Sequence, residues 1–474
     1  NVLLIVADDL GYNDLSSYGS PTIATPNIDR IAANGARFTQ FYTGGPMCTP
    51  SRSAMLTGRL PVRSGIYADL PPPADELFRV FYPTSVGCLP DSEVTIGDAL
   101  KATHSTAMIG KWHLGHNRDD SCLPGLGNQG FDVFYGIPYS HEEGYPGPLP
   151  EGLVFPPVPL MSSGYKFVEQ PFNESDLTSR YTRLTEELTA AVGKEVFGDL
   201  DFSKPFFIHV GYENPHVPLF LSDDYVGESR RGLFGDSVQE MDTSIGRIMT
   251  TIERNGLSED TIVIFTSDNG AWVNPSNGLN PNRPVYGMGP FDGGCNAPFK
   301  EGKGSTWEGG FRVPLVISYP TVIPPLQIIR TPVTAMDFMP TILDYAGVKL
   351  PENVELDGRS IKKTLQEGDS SGIVHECIYL WREKDLYAIR CGQYKAHFIT
   401  RSGFDFSDDG TAQDPPLLFN VEWDPAEAIP LDTSDPVYAA QVKYLTVKAA
   451  EHTETIVKAP SQYLAQNMSR MPCC

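Results

Sequence analysis

The chain has 474 residues, with 36 basic and 59 acidic side chains and a formal net charge of −23 at pH 7. A chain of this length can bury a large core and is expected to form one large domain and a smaller one. The acidic balance argues against nucleic acid as a partner, because its phosphates would be repelled. The longest apolar run covers residues 1–7, far short of the ~20 residues that cross a bilayer.

The first three quarters of the chain alternate between strand and helix patterns. Val2–Ala7 is a continuous apolar run, typical of a strand buried on both faces. Thr25–Gly35 has the pattern of a capped helix that ends at a glycine. Further strands are predicted at Thr106–Ile109, Pro205–Gly211, Thr261–Thr266 and Pro314–Tyr319, and helices at Ser92–Ala102, Leu177–Phe197, Ser237–Asn255 and Met336–Ala346. This alternation predicts an α/β fold with helices flanking a large, mostly parallel or mixed central sheet.

The first part of the chain contains two Pro- and Gly-rich stretches, Pro138–Pro171 and Asn274–Pro298, which are predicted loops of the larger unit. Beyond about Gly358 the pattern changes. The later strands are predicted at Ile378–Arg382, Leu386–Arg390, Tyr394–Thr400 and Leu417–Asn420, before a long helix at Val437–Lys458. We therefore predict an α/β domain over residues 1–370 and a smaller C-terminal domain, an antiparallel sheet plus a helix, over 371–474.

The most informative segment begins at Cys48. Thr49 suits an N-cap and Pro50 the first helical position, which would put Cys48 just before a helix N-terminus. Such a terminus favours an anion, and Arg52, one turn along, can reach back with a bidentate guanidinium. For Cys-x-Pro alone, a structural cysteine at a helix start would be the better interpretation.

Polar residues follow two of the predicted strands. Asp8 and Asp9 end the first strand, and Asp268 and Asn269 come after the strand at Thr261–Thr266. Ligands collect at the carboxyl ends of strands in open α/β sheets, where four oxygen donors would suit a hard divalent cation. Either pair alone is better explained as residues that cap turns.

Basic side chains also follow strand patterns. Lys111 and His113 come after Thr106–Ile109, and a strand that alternates would point both to one side. His216 is held between two prolines, and Lys303 lies in a glycine-rich loop where backbone can approach a ligand. Each of these residues alone would be assigned to solvent or to the core.

Taken together, these segments resemble the type I sulfatases of the alkaline phosphatase superfamily. Cys-Thr-Pro-Ser-Arg at 48–52, followed by Leu-Thr-Gly-Arg at 56–59, is similar to the signature of that family, and Lys-Trp-His-Leu-Gly at 111–115 is similar to a second block. Gly-Ile-Pro-Tyr-Ser-His at 136–141 is similar to a stretch of arylsulfatase A, and Tyr-Lys-Ala-His-Phe at 394–398 resembles the subgroup that contains arylsulfatase A and N-acetylgalactosamine-6-sulfatase. The resemblance covers most of the chain.

The resemblance implies a chemistry and a set of roles. It implies that Cys48 is oxidised to Cα-formylglycine, whose hydrated aldehyde is the nucleophile. The implied metal ligands, usually of Ca²⁺ with Mg²⁺ as the alternative, are Asp8, Asp9, Asp268, Asn269 and residue 48. The implied catalytic side chains are Cys48, Arg52, Lys111, His113, His216 and Lys303, and the implied substrate-binding ones are Ser140, Lys111, His216 and Lys303.

Cysteines and sequons bear on the compartment. If Cys48 is modified, seven cysteines remain, so at least one is unpaired or bonded to another chain. Members of the subgroup carry a cysteine where this chain has Glu301, and we expect Cys295 to substitute for that cysteine and pair with Cys391. Sequons at Asn173 and Asn467, with the family resemblance, favour the secretory pathway, to the lysosome or outside the cell, after removal of a signal sequence.

The expected substrate is a sulfated small molecule, glycan or glycolipid, and the expected maturation partner is a formylglycine-generating enzyme. A homodimer is left open. Three other interpretations are kept: a phosphodiesterase or phosphonate hydrolase of the same superfamily, a secreted Ca²⁺- or glycan-binding matrix protein without turnover, and a thiol enzyme that uses unmodified Cys48. No His-Asn pair at cysteine-protease spacing supports the last of these.

Overall fold

A computed structural model describes residues 1–71, 79–117, 122–144, 158–163, 166–168, 177–196, 198, 203–275, 289, 291–403 and 410–467. Its strands are β1 (Val2–Ala7), β2 (Gly35–Tyr42), β3 (Ser105–Gly110), β4 (Val133–Gly136), β5 (Met161–Ser162), β6 (Lys166–Phe167), β7 (Phe206–Gly211), β8 (Ile262–Ser267), β9 (Arg312–Ser318), β10 (Gln327–Ile329), β11 (Val333–Thr334), β12 (Cys377–Arg382), β13 (Asp385–Cys391), β14 (Tyr394–Thr400) and β15 (Thr411–Asn420). Its α-helices are α1 (Pro26–Ala33), α2 (Cys48–Thr57), α3 (Pro61–Ser64), α4 (Ile96–Leu100), α5 (Leu177–Ala191), α6 (Leu233–Arg254), α7 (Glu308–Phe311), α8 (Phe338–Ala346), α9 (Lys362–Glu367) and α10 (Pro436–Thr455). None of these helices combines the length and the apolar character that a membrane span requires.

Eleven of the described strands form one mixed sheet, in the order β10-β2-β9-β8-β1-β7-β3-β4-β5-β6, with β11 beside β2. The central strands β8, β1, β7, β3 and β4 run parallel to one another. Strand β9 is antiparallel to both of its neighbours. This arrangement confirms the predicted α/β fold with a mixed central sheet.

Strand β1 lies in the middle of the sheet and is buried on both faces, as its continuous apolar run predicts. Leu3, Ile5 and Ala7 join one core cluster, which includes residues of α1 and α6. Val2, Leu4 and Val6 join a second cluster on the other face, with residues of α2, α4 and α8. The helices therefore cover both faces and leave the strand ends as the place for a site.

The glycine that follows α1 has a different role from the predicted one. The helix ends at Ala33, and Gly35 is already the first residue of β2, a strand that the sequence patterns did not indicate. A Cβ added at Gly35 would lie 2.1 Å from the carbonyl oxygen of Ile317 in β9. Gly35 is therefore needed for the close approach of two strands and does not end the helix.

A second sheet follows, with antiparallel order β12-β13-β14-β15. Helix α10 packs on it through Tyr438, Leu445 and Ala449. The antiparallel strands and the long helix predicted for the end of the chain are thus present. The domain boundary near residue 370 stays a prediction.

Charged side chains are buried where the two sheets meet. Lys395 of β14 lies 3.0 Å from carboxylate oxygens of both Glu308 and Glu427. The second oxygen of Glu427 accepts a hydrogen bond from the backbone N–H of Glu308, at 2.7 Å, and its first oxygen lies 2.6 Å from His397 Nε2. We call these four residues the buried junction network. The network joins α7, the helix that directly precedes β9 of the large sheet, to the second sheet.

After α10, residues 456–467 return to the large unit, and we call them the C-terminal strap. The backbone N–H of Ala459 donates to the carbonyl of Val62 at 3.0 Å. The ring of Tyr463 packs edge-on against Phe81, with 4.9 Å between centroids. The last described segment of the chain therefore packs against residues that come early in the sequence.

Two disulfides occur among the described residues, Cys88–Cys122 and Cys377–Cys391. The predicted Cys295–Cys391 pair is wrong, because Cys391 lies opposite Cys377 in the register of β12 and β13. Cys295 is unpaired, as the odd count of remaining cysteines allows. Cys473 and Cys474 lie outside the described residues.

Candidate active site

The carboxyl ends of the parallel strands bring the predicted polar residues together. Asp8 follows β1, Asp268 follows β8 and Lys111 follows β3. All three side chains are fully buried. The site therefore lies at the edge of the sheet where open α/β folds bind ligands.

Cys48 is the first residue of α2, and Met47, in extended conformation, precedes the helix. The predicted capping role of Thr49 is wrong, because its hydroxyl lies inside the first turn and donates to the carbonyl of His113 at 3.0 Å. The Sγ atom of Cys48 lies 3.4 Å from Asp8 Oδ1. Burial and the nearby Asp8 carboxylate raise the pKa of this thiol well above its ordinary value, so an unmodified Cys48 is a weak nucleophile at neutral pH.

Arg52 lies between two carboxylates. Its Nε and Nη2 atoms are both 2.9 Å from Asp268 Oδ2, and Nη2 is 3.5 Å from Asp8 Oδ1. Its Nη1 donates to the carbonyl of Lys111 at 3.0 Å. The guanidinium thus fixes the loops after β1, β3 and β8 in one arrangement.

One cluster of side chains in the described part of the chain has the geometry of a metal site. Asp8, Asp9, Cys48 and His216 each offer a ligand atom, and these atoms lie within 4.8 Å of one another. Asp8, Asp9 and Cys48 are predicted ligands, and the cluster also includes His216. Asp268 lies beside the cluster and accepts a hydrogen bond from the backbone N–H of Asp9 at 3.2 Å.

The donor set fits a hard cation. Asn269 Oδ1 is buried without a hydrogen-bond partner, while its Nδ2 donates to Asp9 Oδ1 at 2.7 Å. Burial and the neighbouring Asp8 raise the pKa of Asp268 to about 7, because three carboxylates share this space. An oxygen-rich site with an unsatisfied carbonyl oxygen is what a divalent cation such as Ca²⁺ requires.

Lys111 and His113 form one wall of the site. Lys111 Nζ lies 2.5 Å from Asp8 Oδ2 and donates to Ser140 Oγ at 2.9 Å. His113 Nε2 donates to the carbonyl of Phe81 at 3.0 Å, which leaves buried Nδ1 with a free lone pair. The alternation of a strand does not account for the positions of Lys111 and His113. β3 ends at Gly110, before both residues, and His113 has a φ of 59°.

His216 and Lys303 form the opposite wall. His216 Nδ1 donates to the carbonyl of Val217, so Nε2 of the neutral ring is free to accept a hydrogen bond from Lys303 Nζ at 2.8 Å. The same Nζ lies 2.7 Å from Asp9 Oδ2. Lys303 therefore joins the carboxylate cluster to the histidine.

Sequence reasoning missed the acidic side of this site. Glu142 Oε1 lies 3.7 Å from His216 Nε2, and Glu143 Oε1 lies 3.7 Å from His113 Nε2. Behind them, His141 Nδ1 lies 2.9 Å from Glu213 Oε2. The one available signal was position, since these residues follow Ser140 directly or belong to the Glu-Asn-Pro-His segment that carries His216.

The remaining predicted positions lie elsewhere. Asn467 is exposed, in the C-terminal strap, and Asn173 lies outside the described residues. His209 is buried within β7, as expected of a core histidine. Thus Asp8, Asp9, Cys48, Arg52, Lys111, His113, Ser140, His216, Asp268, Asn269 and Lys303 are all brought together.

The fold and this cluster agree with family comparisons. Residues 1–348 match the family model described as Sulfatase, and residues 374–474 match the C-terminal region of aryl-sulfatase. The chain therefore belongs to the sulfatase family and is a sulfuric ester hydrolase.

Individual relatives match over almost the whole chain. Human arylsulfatase A is 36% identical, covering 100% of this chain and 92% of its own length. N-acetylgalactosamine-6-sulfatase of Rattus norvegicus is 32% identical, covering 99% and 88%. The crystal structure of PsFucS1 sulfatase from Pseudoalteromonas sp. is 28% identical, covers 98% of this chain and 91% of its own, and has a TM-score of 0.79.

Proposed function

We propose that this protein hydrolyses sulfate monoesters with a formylglycine made from Cys48, beside a divalent cation, which we take to be Ca²⁺. The observation that carries this proposal is the place of Cys48. Cys48 is the first residue of a helix, and its Sγ atom lies 3.4 Å from Asp8 Oδ1. Buried Arg and Lys side chains lie around it. An anionic ester can be bound there although the whole chain is acidic.

The metal would be held by Asp8, Asp9, Asp268, Asn269 and residue 48, with His216 nearby. A cation in that position offsets the charge of the sulfate and lowers the pKa of an oxygen bound to it. The unsatisfied Oδ1 of Asn269 supports the assignment. Arg52 has a supporting role, because it orients Asp268 and Asp8.

The hydrated aldehyde supplies two hydroxyl groups on one carbon, which a cysteine or serine side chain does not. Lys111 and Lys303 would bind the sulfate oxygens, with Ser140 orienting Lys111. Lys303 would give a proton to the departing oxygen, and His216 would orient that ammonium group through the hydrogen bond that its Nε2 accepts. His113 would accept a proton from a hydroxyl group of the hydrate at Nδ1, because its Nε2 donates to the carbonyl of Phe81.

The substrate we propose is a sulfated glycan or glycolipid, with aryl sulfates as assay substrates. The name of the N-acetylgalactosamine-6-sulfatase relative points to a sulfated amino sugar for that protein, which supports the sugar class here. The two sequons and the disulfides support passage through the secretory pathway, with modification by a formylglycine-generating enzyme on the way.

Mass spectrometry of the peptide that contains position 48 tests the nucleophile. Protein made in cells with a formylglycine-generating enzyme should carry an aldehyde or its hydrate at this position and hydrolyse 4-nitrophenyl sulfate. Cys48→Ala should lower kcat by at least about 10³ and keep the melting temperature, as removal of a nucleophile does. Full activity of protein with an unmodified thiol would overturn the proposal.

Metal removal and a second ester test the rest of the assignment. Chelation should abolish turnover, and added Ca²⁺ should restore it. A higher kcat/KM for 4-nitrophenyl phosphate than for the sulfate would favour the phosphohydrolase alternative. A fully modified protein without hydrolysis of any ester would favour the non-catalytic alternative.

A further inference from the structure

Glu142 lies at the mouth of the site, beside the pair that would serve the leaving group. Its Oε1 is 3.7 Å from His216 Nε2, the atom that also accepts the hydrogen bond from Lys303. The His216 side chain is fully buried, whereas 30% of the Glu142 side chain is exposed. The carboxylate therefore spans from the reacting end of the site towards solvent, where the alcohol part of an ester must lie.

An aromatic surface flanks the same pair. The ring of Trp272 is 6.4 Å from the ring of His216, edge-on, and Lys303 Nζ lies 5.6 Å from its centroid. Trp272 is only partly buried. Trp272 and Glu142 both lie near His216, so the indole can pack on a substrate ring while the carboxylate contacts a polar group of that ring.

The negative charge of Glu142 limits which substituents the substrate ring can carry. Glu142 can accept a hydrogen bond from a hydroxyl or an amine, and hydrogen bonds to charged groups are the strong ones. A second sulfate or a carboxylate next to the ester would be repelled by the like charge of Glu142.

We propose that Glu142 and Trp272 form the leaving-group subsite, which selects singly sulfated rings with a hydroxyl or amine next to the ester and excludes a second anionic group. This inference rests on the proposed function and narrows its substrate class. Glu142 contacts the part of the substrate that departs, and the chemistry remains with the residues around Cys48.

Three nitrophenyl sulfates that carry hydrogen, hydroxyl or carboxylate at the carbon next to the ester test this proposal. Each is assayed at pH 8 with the wild-type holoenzyme and with Glu142→Gln, so that differences between the phenols cancel. The substitution should lower kcat/KM about tenfold for the hydroxyl compound and raise it about tenfold for the carboxylate. The change for the unsubstituted compound should lie between these two.

Glu228→Gln is the matched control, since Glu228 is an exposed carboxylate in a separate cavity, and it should leave all three rates unchanged. Equal effects of Glu142→Gln on the three compounds, including a common loss, would overturn the subsite. Trp272→Leu should raise KM for all three compounds, and an unchanged KM would remove the aromatic part of the proposal. Failure of the wild type on every sulfate would instead overturn the proposed function.

Discussion

Single side chains at the sheet edge explain how an acidic protein can bind an anion. Three permanent cations, Arg52, Lys111 and Lys303, are buried against the carboxylates of the strand ends. A buried charge is stable only when it is paired, so each cation is held by the same aspartates that would hold a metal. Under the proposed function, binding of sulfate and binding of a metal would therefore be coupled through shared partners.

Buried neutral histidines predict how stability depends on pH. Burial lowers the pKa of His116 to about 4, whereas the unfolded chain keeps a value near 6.5. Between these values the unfolded state binds the extra proton, so stability falls as the pH drops from about 6.5 towards 4.

His116→Gln should reduce that dependence. His116 Nε2 donates to the carbonyl of Pro83 at 2.9 Å, and a glutamine amide can keep a donor there. Urea unfolding of wild type and variant from pH 4.5 to 8 should show a slope shallower by up to about 1.4 kcal/mol per pH unit below pH 6.5. Parallel curves over the whole range would contradict the assignment.

At the scale of elements, the turns after the strands set the geometry of the site. Gly270 ends the Asp268–Asn269 turn, and its backbone N–H donates to the carbonyl of Gly310 at 3.0 Å. A Cβ at Gly270 would lie 1.7 Å from the carbonyl oxygen of Gly309. The residue after Asp268 and Asn269, the proposed metal ligands, must therefore be glycine, because its backbone lies directly against that of Gly309 and Gly310.

Gly270→Ala should displace Asn269 and lower the free energy of unfolding by about 1–3 kcal/mol, as other overpacked sites do. Turnover of 4-nitrophenyl sulfate should fall at least about tenfold. Gly193→Ala is the control, because an added methyl group there meets nothing within 4 Å and stability should change by less than about 0.5 kcal/mol. Unchanged turnover in Gly270→Ala would show that this turn tolerates displacement.

The elements that the sequence predicts best are those with a simple pattern. β1 has the bounds of its apolar run, and α10 begins one residue before the predicted helix. β2 was missed because its polar and apolar residues follow no clear alternation. The start of β2 was also difficult to predict, because Gly35 comes soon after a helix and glycine commonly ends a helix.

The site could be predicted only where residue types carry a chemical signature. Cys48, the strand-end aspartates and the basic residues were assigned because their segments together resemble sulfatase motifs, whereas each alone has a structural explanation. Glu213 was not found, because it contacts His141, which lies 72 positions away. Glu143 was not found either, because it contacts His113 of another segment. No local pattern reports such a contact.

At the scale of the molecule, the buried junction network predicts that the two sheets depend on each other. Lys395→Met would leave Glu308 and Glu427 buried without their shared cation. Loss of one partner from a buried ion pair destabilises by about 3–5 kcal/mol. Thermal unfolding of this variant should show a clear loss of stability.

Lys363→Met serves as the comparison, since Lys363 is exposed and lies 3.7 Å from Glu367 on the same helix. Exposed pairs of this kind contribute about 0.5 kcal/mol or less. Similar melting temperatures for the two variants would mean that water reaches the junction and screens its charges.

The C-terminal strap has a consequence for how the enzyme is made. Phe81, whose carbonyl holds His113, is itself covered by Tyr463. Chains emerge from the ribosome with the N-terminal end first, so Tyr463 can cover Phe81 only after both sheets have been synthesised. Under the proposed function, Cys48 would be easier for a modifying enzyme to reach before Tyr463 packs on Phe81.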